Sequence, residues 1–127
     1  TGSVIDLVTS CSGHVLLAFE GEARRDAVFG SLDPASGDAL RALMPRLAIV
    51  RDRGYEMTPS ARTAGVTDVS VPIFGFDNQV AAALTVPYLV MIDGSQTTDL
   101  DQTREMLVAA GERISHLLGA HPVSGAA

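Results

Sequence analysis

Cys11 and His14 stand three apart in the segment SCSGHVLLAF. That spacing puts two side chains on one helical face. A thiol and an imidazole placed so could act as nucleophile and base. The pair would also need an orienting third group and donors for an oxyanion, and the sequence carries no signature of either. Metal binding would draw on Cys11, His14, His116, His121 and the acids. None of these has paired ligand spacing such as C-x-x-C or H-x-x-x-H. There is no G-x-G-x-x-G and no Walker pattern to cradle a phosphate. Cys11 therefore reads first as a small buried residue. A small cysteine hydrolase or isomerase stays as the rival of a different class. No cofactor is implied.

The other candidate chemistry lies in residues 66–86, VTDVSVPIFGFDNQVAAALTV. The stretch alternates, turns at Asp77–Asn78, and alternates again. A two-residue turn there pairs Asp68 with Pro87, Ser70 with Thr85 and Pro72 with Ala83. Val69 then meets Val86, Val71 meets Leu84 and Ile73 meets Ala82. One face is bulky and apolar. The other holds Val66, Asp68, Ser70, Ala81, Ala83 and Thr85. A one-residue bulge near Gly75 would exchange the faces, so the clean separation favours the simple register. A face of small residues has two readings. It can be a seat for a closely packed helix, or a cavity with a few aimed polar groups, as small-molecule sites are built.

The elements that would hold these residues follow from local pattern. Val4–Thr9 reads as a short strand. Ser10 or Ser12 caps a short helix through residues 14–19. A second short helix covers 22–29, acidic at its start. Residues 32–38 are turn chemistry, with Asp33 and Asp38 as turn and cap residues. A longer helix runs over 38–53, with Leu40, Leu43, Leu47 and Val50 at helical spacing. Pro45 kinks or restarts it, and Gly54 stops it. Arg51 and Arg53 read as a solvated helix end. A strand at 55–57 and a loop at 58–65 follow. The second hairpin arm extends toward 86–92, with Pro87 marking an edge or bulge. Residues 93–95 are a turn. The last helix spans 99–118, with Leu100, Leu107 and Ile114 seven apart and Ala110 and Leu117 near the same stripe. His116 sits near its C-terminus, where its charge suits the dipole. The order predicts an α+β fold, an antiparallel β-sheet flanked by helices.

The chain has 127 residues, 46% hydrophobic and 5% aromatic, enough for one domain with an aliphatic core. Its net charge is −6. Phosphate contacts need clustered Lys and Arg, so an acidic domain is a poor nucleic-acid binder by itself. One cysteine forms no intramolecular disulfide, which fits a reducing, cytoplasmic compartment. No apolar run approaches the ~18 residues of a membrane span. The start at Thr1, which is not Met, suggests a fragment of a longer protein.

Three segments resemble the C-terminal effector-binding domain of IclR-type bacterial transcriptional regulators. SCSGHVLLAF (10–19) resembles that family's small-small-Gly-basic helix start and its Leu-Leu-Ala run. LAIVRDRGYEM (47–57) resembles the helix end in which Arg-Gly-Tyr leads into a strand. AGVTDVSVPIFGFDNQVAAALTV (64–86) resembles the family's hairpin. The resemblance implies a GAF- and profilin-like sensor fold, with residues 1–119 an effector-binding domain lacking its N-terminal part and 120–127 a flexible tail. It implies no enzyme. The effector would be an organic acid, a phenol or a hydroxylated compound. Its binding would modulate DNA binding by a separate, N-terminal winged helix-turn-helix domain absent here. A homodimer or tetramer is implied, and residues 88–92 are a candidate interface. A GAF-like module of another signalling protein is the nearer rival.

Carried over by position, the ligand-contacting sites fall at Cys11 and Ser12 next to Gly13, at Thr58, at Val66 and Asp68, and at Thr85 and Pro87; Ser70, on the same small-residue face, joins the candidate set. The helix start would suit a carboxylate. Asp68, Thr85 and Pro87 share a face in the register above, which favours the cavity reading. The sequence departs from the family pattern at five positions. The family often has an acid where Thr58 stands, a small neutral or thiol residue at Asp68, serines at Thr85 and Pro87, and Lys or Arg at His14. An ionised Asp68 would repel a carboxylate and welcome a hydroxyl, amine or phenol donor.

Overall fold

The computed structural model describes residues 4–31, 33–60, 63–89 and 98–121. Its longest helix starts where Asp33 and Pro34 meet. The Asp33 side chain accepts the Ser36 N–H at 2.8 Å, and Pro34 takes the first helical position, where a missing N–H costs nothing. This helix, α4 (Pro34–Arg53), begins before the turn expected over residues 32–38, because N-cap and proline act together. It runs through Pro45 without a break and ends at Gly54 in the left-handed region, φ 88°. Three helices precede it: α1 (Val4–Thr9), α2 (Cys11–Ala18) and α3 (Glu22–Ser31). Three strands follow, β1 (Glu56–Pro59), β2 (Val66–Phe74) and β3 (Val80–Leu89), and then α5 (Leu100–Leu117).

The expected strand at Val4–Thr9 is a helix instead. Its β-branched residues favour extension locally. Tertiary packing overrides that preference, because Leu7 and Val8 fill the edge of an aliphatic cluster made by α2 and α4. Gly13 permits the contact. A Cβ there would lie 2.1 Å from the Leu7 carbonyl oxygen.

The strands form an antiparallel sheet in the order β1-β2-β3. Asp68 pairs with Pro87, Ser70 with Thr85, Val71 with Leu84 and Ile73 with Ala82, as the alternation implied. The turn differs from the two-residue form. Gly75 N–H donates to the Gln79 carbonyl at 3.0 Å and Asn78 N–H to the Gly75 carbonyl at 2.9 Å. Asn78 is left-handed at φ 59°. That is a three-residue loop, Phe76–Asp77–Asn78, and it shifts the register by one. A second irregularity between Ile73 and Phe74 shifts it back, since Phe74 pairs with Val80 and Ile73 with Ala82. Ala81 is the extra residue, so the faces still separate from Ile73 onward. β1 extends through Thr58 and Pro59, which pair with Asp68 and Thr67 where a loop was expected.

Helices cover both faces. On the bulky face, Val69 and Val71 pack with Leu107 of α5, bordered by Leu84, Val86 and Leu100. The expected seven-residue stripe holds at Leu100 and Leu107 but not at Ile114, which is exposed, nor at neighbouring Leu117, which is 83% exposed. An α-helix drifts about 20° per heptad, and the buried line steps to Gly111 and Ser115 instead. Gly111 brings α5 against Val71, and Ser115 Oγ accepts the Phe74 N–H at 2.9 Å. The other face receives α2, with α1 and α4 behind it. There Val15, Leu17, Ala18, Leu40, Leu47 and Val50 form the larger cluster, and Ala83 of β3 packs against it. Each fully buried Leu or Val contributes about 1.5–3 kcal/mol. Among the described residues no helix is long and apolar enough to cross a membrane. The turn expected at 93–95, residues 122–127 of the tail, and residues 90–92 of the candidate interface stretch lie outside the described residues.

Candidate functional site

Strand alternation puts Glu56 and Thr58 of β1, Asp68 and Ser70 of β2, and Thr85 and Pro87 of β3 on one face, in register with one another. The first turn of α2 meets this face. Ser10 caps α2, its Oγ accepting the Gly13 N–H at 3.0 Å. That leaves Cys11 as the first helical residue, pointing at the sheet. The Cys11 thiol lies 3.4 Å from the Glu56 carbonyl and 3.4 Å from the Asp68 carbonyl. Cys11 is buried, and burial pushes its thiol up despite hydrogen bonds with Ser70 and Thr58. Ser70 is wholly buried, with its Oγ 2.5 Å from Thr85 Oγ1. Thr58 and Asp68 are half-buried, Val66 is buried, and Thr85 and Pro87 are exposed.

The structure thus brings Cys11, Thr58, Asp68 and Ser70 together, with Thr85 and Pro87 beside them on β3. The packed-helix reading of the small-residue face holds where α2 crosses it. Ala83 and Ser70 lie under α2, while Asp68, Thr85 and Pro87 sit toward the more open side. Ser12 is half-buried on the helix start, and Gly13 faces α1 rather than the strands. The Gly13 N–H is already taken by Ser10, so it offers nothing to an anion.

Sequence reasoning missed the centre of this layer. Glu56 is wholly buried, and its carboxylate collects five donors. Oε2 accepts from His14 Nδ1 at 2.8 Å and Arg46 Nε at 2.9 Å. Oε1 accepts from Arg46 Nη2 at 2.5 Å, Arg53 Nη2 at 2.6 Å and the Met57 N–H at 2.9 Å. Burial alone would raise this carboxyl. The bonds from His14, Arg46 and Met57 overcome it and bring the pKa to about 2. His14 is raised, chiefly by its bond to Glu56 and against its own burial. Arg53 is therefore no free helix end. It bonds Glu56 and the Tyr55 carbonyl, and stacks on the Tyr55 ring with its guanidinium carbon 4.4 Å from the centroid. Arg51 donates to the Ala18 carbonyl at 3.1 Å, closing the end of α2. The only local signal was Arg53, three residues before Glu56; His14 and Arg46 are brought there by the fold.

These contacts leave no cysteine–histidine dyad. His14 spends both ring nitrogens on Glu56 and the Val8 carbonyl, and the Cys11 thiol is aimed at backbone oxygens. Among the described residues no three His, Cys, Asp or Glu side chains converge as a metal site would require.

A helical layer on each side of an antiparallel sheet, with polar groups of three strands gathered under one helix start, is the build of a GAF-like sensor domain. The family model for the bacterial transcriptional regulator IclR C-terminal matches residues 1–116. The chain belongs to that family and is an effector-binding domain of IclR-type transcriptional regulators, which are not enzymes. It is 33% identical over 113 residues to the HTH-type transcriptional regulator XynR of Escherichia coli K12, a match covering 84% of this chain and 44% of XynR. Among solved structures it is similar to HmgR of Pseudomonas aeruginosa, with TM-score 0.66 and 29% identity over 97% of this chain and 49% of that one. It is also similar to an IclR homolog of Microbacterium hydrocarbonoxydans complexed with 4-hydroxybenzoate. That match has TM-score 0.64 and 28% identity, over 88% of this chain and 45% of that one. The chain spans less than half the length of each of these three proteins.

Proposed function

We propose that this domain senses a small hydroxylated organic effector on the face defined by Cys11, Ser12, Thr58, Val66, Asp68, Ser70, Thr85 and Pro87. One observation carries the reading. Asp68, the only carboxylate among these residues, faces Thr58 across one strand pair and Pro87 across the other, with the Cys11 thiol on its own carbonyl. A half-buried carboxylate beside neutral neighbours accepts hydrogen bonds and repels a second carboxylate placed against it. A phenol, an alcohol or the hydroxyl end of a hydroxy acid satisfies it. The 4-hydroxybenzoate held by the Microbacterium relative has a hydroxyl at one end and a carboxylate at the other. A molecule of that kind would meet Asp68 hydroxyl first.

Effector binding biases the domain between states, by no more than its difference in affinity for them. The consequence is read out by a separate winged helix-turn-helix domain, which carries the DNA contacts in a cytoplasmic homodimer or tetramer. The net charge of −6 supports that division of labour. The test is a thermal-shift screen of this chain with hydroxybenzoates, phenols, polyols, hydroxy acids and keto acids, run on wild type and Asp68→Ala.

A further inference from the structure

His14 has an acceptor at each end of its ring. Nδ1 lies 2.8 Å from Glu56 Oε2, and Nε2 lies 2.7 Å from the Val8 carbonyl. A carbonyl has no proton to give, so Nε2 is the donor there. Glu56 is ionised, held so by two arginines and the Met57 N–H, so Nδ1 is the donor as well. Only the imidazolium donates from both nitrogens. The neutral ring has one N–H and must turn a lone pair on one of the two oxygens.

We propose that His14, as an imidazolium, is the positioning residue that seats the first turn of α2 on the sheet, and that losing its proton unseats that turn. The ring ties α1, through Val8, to β1, through Glu56, with α2 between them. Among the described side chains, the charged groups that face it are Glu56 from β1 and Arg46 and Arg53 from α4, both bonded to the same carboxylate. On its own helix Cys11 lies one turn back, held to the sheet by one weak S–H shared between the Glu56 and Asp68 carbonyls. One carboxylate then balances three cations, so the proton on His14 is the one charge in the cluster that can leave near neutral pH. The turn it seats carries Cys11 and Ser12. The consequence for the effector face rests on the reading above; the seating of α2 does not.

The test needs no ligand. Cys11 is the only cysteine, so iodoacetamide reports on that turn alone. Labelling is followed from about pH 6 to about pH 9, the range in which a raised imidazole titrates, for wild type and His14→Lys, which keeps the cation. Dividing the two rates cancels the pH dependence of the thiolate itself. The ratio is expected near unity at the acid end. It should rise by about tenfold per unit by which the closed-state pKa exceeds the open-state value. The wild-type ring, followed by NMR, should titrate above the ordinary 6.5. A ratio that stays flat, or a ring that titrates at or below 6.5, overturns the proposal. The NMR arm uses only wild type, so a poorly folded variant does not shelter it. If Asp68 proves irrelevant to ligands, the labelling result is untouched.

Discussion

The Glu56 carboxylate accepts from His14 Nδ1 at 2.8 Å with the acid wholly buried, and this ion pair joins two elements 42 residues apart in the chain. Polar contacts from α1, α2, α4 and β1 gather around it. α4 supplies two arginines, α2 supplies the histidine, and β1 supplies the carboxylate between two residues of the opposite face.

The pair makes stability depend on pH in two windows. Glu56 has a folded value depressed to about 2 from 4.5, so its contribution is present above 4.5 and fades as pH falls toward 2. His14 has a folded value raised above 6.5, so its contribution is present below 6.5 and fades as pH rises through the folded value. Urea unfolding across pH should give a plateau with a loss on each side. Glu56→Gln should flatten both limbs, and His14→Lys the alkaline one.

Glu56→Gln itself should be costly at neutral pH. Removing one partner of a buried pair leaves uncompensated charge, typically 3–5 kcal/mol. Here three cations lose one acceptor. The urea midpoint should fall with the slope unchanged. A loss under about 1 kcal/mol, the scale of an exposed pair, would show that the cluster is solvated.

Gly13→Ala should displace α1. The new Cβ would sit 2.1 Å from the Leu7 carbonyl oxygen, which is backbone and cannot step aside alone. Overpacking of this kind costs about 1–3 kcal/mol. Amide exchange should locate the damage in α1 and the start of α2, with α5 protected as before.

Ser115→Ala should uncouple α5 from the hairpin. The Phe74 N–H would lose its partner at 2.9 Å, and leaving this part-buried donor unpaired costs at most about 1–3 kcal/mol. Cysteine, close in size but a weak acceptor, should recover little of the loss, and threonine more if its methyl fits.

Much of this architecture could be read from local chemistry. The hairpin register followed from alternation, and it survived a wrong turn because a second one-residue shift compensated the first. Gly54 announced a helix end that the structure keeps, whereas the Asp99–Gln102 capping box that starts α5 was not singled out. Nonlocal facts were hidden. Val4–Thr9 looks extended by residue type and is helical because of what Leu7 and Val8 pack against. Glu56 looks like an ordinary strand acid. Its burial is set by His14 and Arg46, and no window around YEMT contains either. Of the candidate site, Asp68, Ser70 and Thr85 were placed on one face by pattern. That Cys11 sits on the Asp68 carbonyl depends on how α2 crosses the sheet, which periodicity does not encode.

The most direct test of the proposed effector face is ligand stabilisation measured on wild type and Asp68→Ala together. A ligand at about a hundred times its dissociation constant adds about 2.7 kcal/mol to stability, enough for a clear shift in melting temperature. A hydroxyl-bearing compound should give this shift in the wild type, the shift should disappear in Asp68→Ala, and a plain dicarboxylate should give none at neutral pH. A dicarboxylate that binds tightly, or a ligand that stabilises both proteins equally, would contradict the proposed face.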